Sequence, residues 1–77
     1  MAWVSSIQKS KGTGKLQPTQ VIAHVKVLQV EGGATIVQID THGSTDRANP
    51  GKQSQTIQFG RETGQQLCKI LQDTYGL

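Results

Sequence analysis

The sequence predicts an α+β fold: an antiparallel twisted sheet of three to four strands followed by one C-terminal amphipathic helix. Three observations predict it. Apolar, mostly β-branched residues alternate with other residues through "VIAHVKVLQV", "ATIVQIDT" and "QSQTIQF", the period-2 pattern of strands with one face turned inward. Two successive glycines sit between the first two runs, where a tight hairpin needs residues free to adopt positive φ. The last stretch, "RETGQQLCKILQDTY", abandons that period and places Leu67, Ile70, Leu71 and Thr74 at i, i+3, i+4 and i+7, one stripe of a helix.

Taken in chain order, residues 2–8, "AWVSSIQ", read as a short, weak strand with Trp3, Ser5 and Ile7 on one side. Residues 9–20, "KSKGTGKLQPTQ", are a loop, broken by Gly12, Gly14 and Pro18 and carrying Lys9, Lys11 and Lys15. Residues 21–30 form the strongest strand. Val21, Ala23, Val25 and Val27 make an apolar face expected to be core, and Ile22, His24, Lys26, Leu28 and Val30 make a mixed one. Glu31 to Gly33 are the turn. Residues 34–41 return, with Val37 and Ile39 joining the valine face and Ala34, Ile36, Gln38 and Asp40 opposite.

A polar stretch, Asp40 to Gln55, follows, and its Pro50-Gly51 pair signals a type II turn. In the strand over residues 53–59, Ile57 and Phe59 are expected to point inward and Ser54, Thr56 and Gln58 outward. The helix over residues 61–75 has Glu62 at its positive end and Gly76 placed as a C-terminal cap. Gly64 inside it costs about 1 kcal/mol against alanine, which suits a backbone that packs closely. One helix covers one sheet face, and the other face is left open.

With 77 residues, the chain reads as a single domain, 1–77, with 1–20 weakly structured and 21–77 the sheet and helix. A chain this small buries only roughly 60% of its unfolded surface and usually gains stability from disulfides, a metal or a partner subunit. A single cysteine, Cys68, excludes an internal disulfide. One Cys and two His make a tetrahedral zinc site a poor fit, and no cofactor or metal is expected. Self-association is the remaining route. The absence of a basic start with an apolar run, the lack of any membrane-span-length apolar segment, and one unpaired cysteine together predict a cytoplasmic, soluble protein with no membrane partner. The formal charge of +3 permits nucleic-acid binding without demanding it.

Several sets of residues have the chemistry for a site. Asp40, His42 and Asp46 have an acid–His–acid spacing that fits a divalent cation or an acid–base pair; the plainer reading pairs Asp40 with a nearby Lys or Arg and leaves His42 and Asp46 in a solvated turn. "KGTGK" has one residue between its glycines where a phosphate-cradling loop has four, and no helix follows. It is a basic loop suited to phosphate contacts and nothing more specific. Lys26 either guards a sheet edge or reaches for a phosphate. Cys68 has no base near it in the chain and reads as a small packing residue.

The order of strand, Gly turn, strand ending in "QID", polar loop, Pro-Gly-Lys, short strand and amphipathic helix resembles the positive cofactor four family of transcriptional coactivators. The resemblance spans residues 21–75 and rests on "VEGGATIVQID", "NPGKQSQTIQF" and the following helix. It implies a small dimer with a curved antiparallel sheet that binds single-stranded nucleic acid across the sheet. It would put Lys26, Gln38, Arg47 and Lys52 near a strand-binding groove, and Leu67, Ile70 and Leu71 in the dimer interface. Thr41-His42 stands where the family carries an aromatic pair, so binding here would rest on charge and be sensitive to salt.

The expected function is therefore a homodimer that binds single-stranded DNA or RNA without much sequence preference and performs no catalysis. Lys9, Lys11, Lys15, Lys26, Arg47 and Lys52 would contact phosphates; Trp3 and His42 would stack on bases. The alternative is a protein-interaction or assembly module that uses the open face through Ile22, Leu28 and Ile36. A third reading, a hydrolase on Asp40, His42 and Asp46, requires a bound metal.

Overall fold

The computed structural model describes residues 1–42 and 53–77. They form four strands and a helix: β1 (Ala2–Trp3), β2 (Ala23–Gln29), β3 (Thr35–His42), β4 (Gln53–Phe59) and α1 (Arg61–Tyr75). The sheet order is β1-β4-β3-β2. β2, β3 and β4 are antiparallel neighbours, as the alternation predicts. β1 pairs with β4 in parallel, Ala2 opposite Ile57 and Trp3 opposite Gln58, so the sheet is mixed. The pairing runs one residue past β1, with the Val4 N–H donating to the Gln58 carbonyl at 2.8 Å.

The β2–β3 turn follows the glycine argument. Gly32 has φ 92° and Gly33 φ 85°, and the Val30 N–H donates to the Ala34 carbonyl at 3.0 Å to close the hairpin. A side chain at either glycine would be forced into the left-handed region, at a cost of about 1–2 kcal/mol. α1 ends as expected: Gly76 adopts φ 68° and its N–H donates to the Gln72 carbonyl at 2.8 Å.

Register defines two faces. Val25, Ile39 and Ile57 form one cross-strand row and Val27, Val37 and Phe59 the next. On the opposite face stand the rows His24–Asp40–Thr56 and Lys26–Gln38–Gln58, the latter continued by Trp3. The first face is the apolar one, yet it is not a core within this chain. Val25 is 63% and Val27 70% exposed, and Phe59 is the one buried apolar residue among those described. Val21, expected beside them, is exposed as well.

The expectation that α1 covers a face is corrected for a local reason. Only Gly60 separates β4 from α1, which leaves little chain with which to turn back over the sheet. The helix instead docks by its first turns at the sheet's end. Gly64 faces the Phe59 ring, the buried Thr63 hydroxyl donates to the Val4 carbonyl at 3.0 Å, and Gln66 Oε1 accepts from the Ile7 N–H at 2.9 Å. Beyond these contacts the stripe is half open: Leu67 and Ile70 are half-buried, Leu71 exposed. Cys68, expected to pack, is exposed too. The Cα radius of gyration, 14.8 Å, lies well above the roughly 11–12 Å of a compact chain this long. No helix among the described residues is long and apolar enough to cross a membrane.

Candidate nucleic-acid interface on the polar sheet face

The polar face is organised around Asp40, which is 1% exposed. A lone carboxylate there would be costly, so its oxygens must be matched. Thr56 Oγ1 donates to Oδ1 at 2.7 Å, and Lys26 Nζ lies 3.2 Å from Oδ2. Gln38 Nε2 donates to both oxygens, at 3.0 and 3.2 Å. Gln58 Nε2 then donates to Gln38 Oε1 at 2.8 Å. The result is a continuous hydrogen-bonded line across β2, β3 and β4. No buried side-chain nitrogen or oxygen among the described residues lacks a partner.

These contacts set the charge state. The Thr56 hydroxyl, and after it the Lys26 ammonium and the Gln38 amide, hold the Asp40 carboxyl below the usual carboxylate range; desolvation pushes the other way and loses. Desolvation is second in size only to the Thr56 contact, and it takes the hydrogen bonds and the ammonium together to outweigh it.

Of the residues expected to bind nucleic acid, Trp3 and Lys26 lie in one row of this face. Trp3 is 55% exposed, and its six-membered ring lies against Gly60, where a Cβ would sit 3.2 Å from Cη2. A side chain at position 60 would be tight against the ring, which would have to shift by a few tenths of an ångström. Lys26 is half in water, with its charge directed at Asp40, as the plainer reading of Asp40 requires. β2 is also an edge strand, so Lys26 does sit on a sheet edge. His42 ends β3 instead of lying in a turn, and its ring meets His24 edge-on with centroids 4.5 Å apart. A register shift between Thr41 and His42 accompanies it.

Lys9, Lys11 and Lys15 are exposed on the segment between β1 and β2, which has no regular structure. Arg47, Lys52 and Asp46 lie outside the described residues. Of the acid–His–acid set, Asp40 is bonded to Thr56, Gln38 and Lys26, and the His42 ring packs on His24. Among the described residues no three His, Cys, Asp or Glu side chains are grouped to hold a metal.

Two sets of residues escaped sequence reasoning. Thr56, expected to face outward, is buried as the partner of Asp40. Gln58, likewise expected to face outward, donates to Gln38. Both follow from the β3–β4 register, which places Thr56 opposite Asp40 and Gln58 opposite Gln38. That register is set across the polar stretch, and alternation alone does not supply it. Thr63 and Gln66, which tie the N-terminal segment to α1, carry no sequence signal.

No family model, curated protein or solved structure matches this chain.

Proposed function

We propose that this chain forms a homodimer that binds single-stranded nucleic acid on the polar face of its sheet. The observation that carries the reading is the division of the sheet into two unlike faces. The apolar face exposes Val25, Val27 and Ile57, and the helix stripe of Leu67, Ile70 and Leu71 is also incompletely covered. A second copy offers both surfaces at once, helix stripe to sheet face, and supplies the burial that a chain of this size lacks.

The polar face is then the one left to solvent. It presents Trp3 for stacking, and amides and a lysine for polar contact; Lys9, Lys11 and Lys15 are exposed on the segment that follows β1 in the chain. Stacking on an aromatic ring contributes about 1–3 kcal/mol per base. The exposed lysines would attract phosphate, so affinity should fall steeply with salt. In this assembly Lys9, Lys11, Lys15, Lys26, Arg47 and Lys52 contact phosphates, Trp3 and His42 stack on bases, and no covalent chemistry takes place.

The test is a titration of labelled 12-nucleotide strands at 50 mM and 300 mM salt, with sedimentation velocity to give the mass. The expected result is a dimer that binds at low salt and releases at high salt; failure to bind at low salt removes the reading. The second reading, a protein-interaction module, draws on the same exposed valines and on the open edge of β2. A stable monomer that ignores nucleic acid would favour it.

A further inference from the structure

The line of hydrogen bonds on the polar face has a direction. An ionised carboxylate carries no hydrogen and only accepts. Gln38 must therefore turn its NH2 to Asp40, at 3.0 and 3.2 Å. Its Oε1 is left for Gln58, which must in turn present its own NH2, at 2.8 Å. The O and N of an amide are assigned from such networks, and here the charge at Asp40 fixes both amides. Gln58 Oε1 consequently lies on the side away from Gln38. The strand on that side is β1, and the residue in register with Gln58 is Trp3. The buried end of the line thus dictates that the sheet offers a hydrogen-bond acceptor beside a half-exposed indole braced on Gly60.

We propose that Trp3 and Gln58 form a base-reading subsite, in which an unpaired nucleobase stacks on Trp3 and donates an exocyclic amino hydrogen to Gln58 Oε1. This rests on the nucleic-acid reading and adds a preference that charge and stacking alone do not give. Cytosine and thymine have the same ring size but differ at C4, which carries an amino group in one and a carbonyl in the other. The subsite accepts the amino group and faces the carbonyl with a second acceptor. Asp40, Thr56 and Lys26 are positioning residues for it.

The experiment titrates the full chain with labelled dC12 and dT12 at 50 mM salt, reading anisotropy and the fluorescence of Trp3, the one tryptophan in the chain. Both strands should bind and quench Trp3, with dC12 tighter by about fivefold, the low end of what a base contact discriminates. Gln58→Met should bring dC12 to the affinity of dT12 while the quenching persists. A strand of N4,N4-dimethylcytosine, which has no amino hydrogen to donate, should do the same with the unaltered protein, so the test survives if the variant does not fold. Equal affinity for dC12 and dT12, a preference for dT12, a preference that persists in Gln58→Met or with the dimethylated base, or binding without quenching overturns the subsite and leaves the nucleic-acid reading in place. No binding to either strand removes both.

Discussion

Asp40 and Val27 sit on neighbouring strands of one sheet, and their surroundings invert the usual expectation: the carboxylate is 1% exposed and the valine 70% exposed. On the polar face, long side chains fold over the centre and satisfy one another, so Asp40 is closed off by Thr56, Lys26, Gln38 and, behind it, Gln58. On the apolar face, valines and isoleucines are too short to cover one another. They need a second layer, and α1 leaves along the sheet's end instead of crossing it. Burial here is decided by reach and topology more than by hydropathy. Long polar side chains make a self-sufficient surface from one sheet, whereas short apolar ones require another body.

The most severe way to break this contrast is a charge on the apolar face. Val27→Asp should weaken the proposed dimer by at least about 100-fold, because an unpaired charge taken out of water costs several kcal/mol. Sedimentation velocity over a concentration series would show the mass halving. If the face is simply solvated, the same change should leave the mass unaltered and shift stability by no more than about 0.5 kcal/mol, as surface substitutions do.

The opposite face should respond to charge removal and to acid. The Asp40 carboxyl titrates lower in the folded chain than its ordinary 3.8. A group depressed on folding contributes stability that is fully present above its unfolded pKa, about 3.9. That contribution fades as pH falls through the lower folded value, since the unfolded chain takes up the proton first. Asp40→Asn should therefore lower the melting temperature at pH 7, and the gap to the unaltered chain should close as pH is taken from 4 toward 2. A gap that stays constant down to pH 2 would show that the loss is one of shape and not of charge. Thr56→Val, which deletes the leading contact, should cost about 1–2 kcal/mol at pH 7. Lys26→Met should cost less, because the lysine side chain is 55% exposed and its charge is screened by water.

Much of this arrangement was legible in the residues. β4 and α1 lie where the alternation and the helical stripe put them, β2 and β3 within one or two residues, and Gly32, Gly33 and Gly76 adopt the backbone their positions required. These are local properties, set by period and by the missing Cβ. The errors are tertiary. The period of Val21, Ala23, Val25 and Val27 shows which side is apolar but not what lies against it. The inward marks on Ile57 and Phe59 held for Phe59, which is buried, and not for Ile57, which is 40% exposed, because only the end of β4 meets the helix. The line from Lys26 to Gln58 could be read only after β3 and β4 were set in register. Gln38 did enter the sequence reading, through the family resemblance; its role as the link between Asp40 and Gln58 did not. The pairing of β1 with β4 joins residues more than fifty positions apart, and nothing in "AWVSSIQ" specifies it.

The smallest expected effect sharpens the comparison most finely, since it asks which apolar surface a second copy covers. A Cβ built on Gly64 would lie 3.7 Å from Phe59 Cε2 and 3.8 Å from Cδ2, ordinary contact distances with room for a methyl group. Within one chain Gly64→Ala should thus stabilise by about 0.5–1 kcal/mol, by restricting the unfolded backbone and removing a helix-interior glycine. The sequence expectation was that close packing requires this glycine, and the chain's own sheet does not require it. If a second copy lays its backbone against this turn of α1, the added methyl would raise the dimer dissociation constant while thermal stability at high dilution still increased. If the second copy engages only the later stripe of Leu67, Ile70 and Leu71, both quantities should improve together. Measuring the melting temperature and the dissociation constant of the same variant separates the first turns of α1, already committed to Phe59, from the later ones still open to a partner.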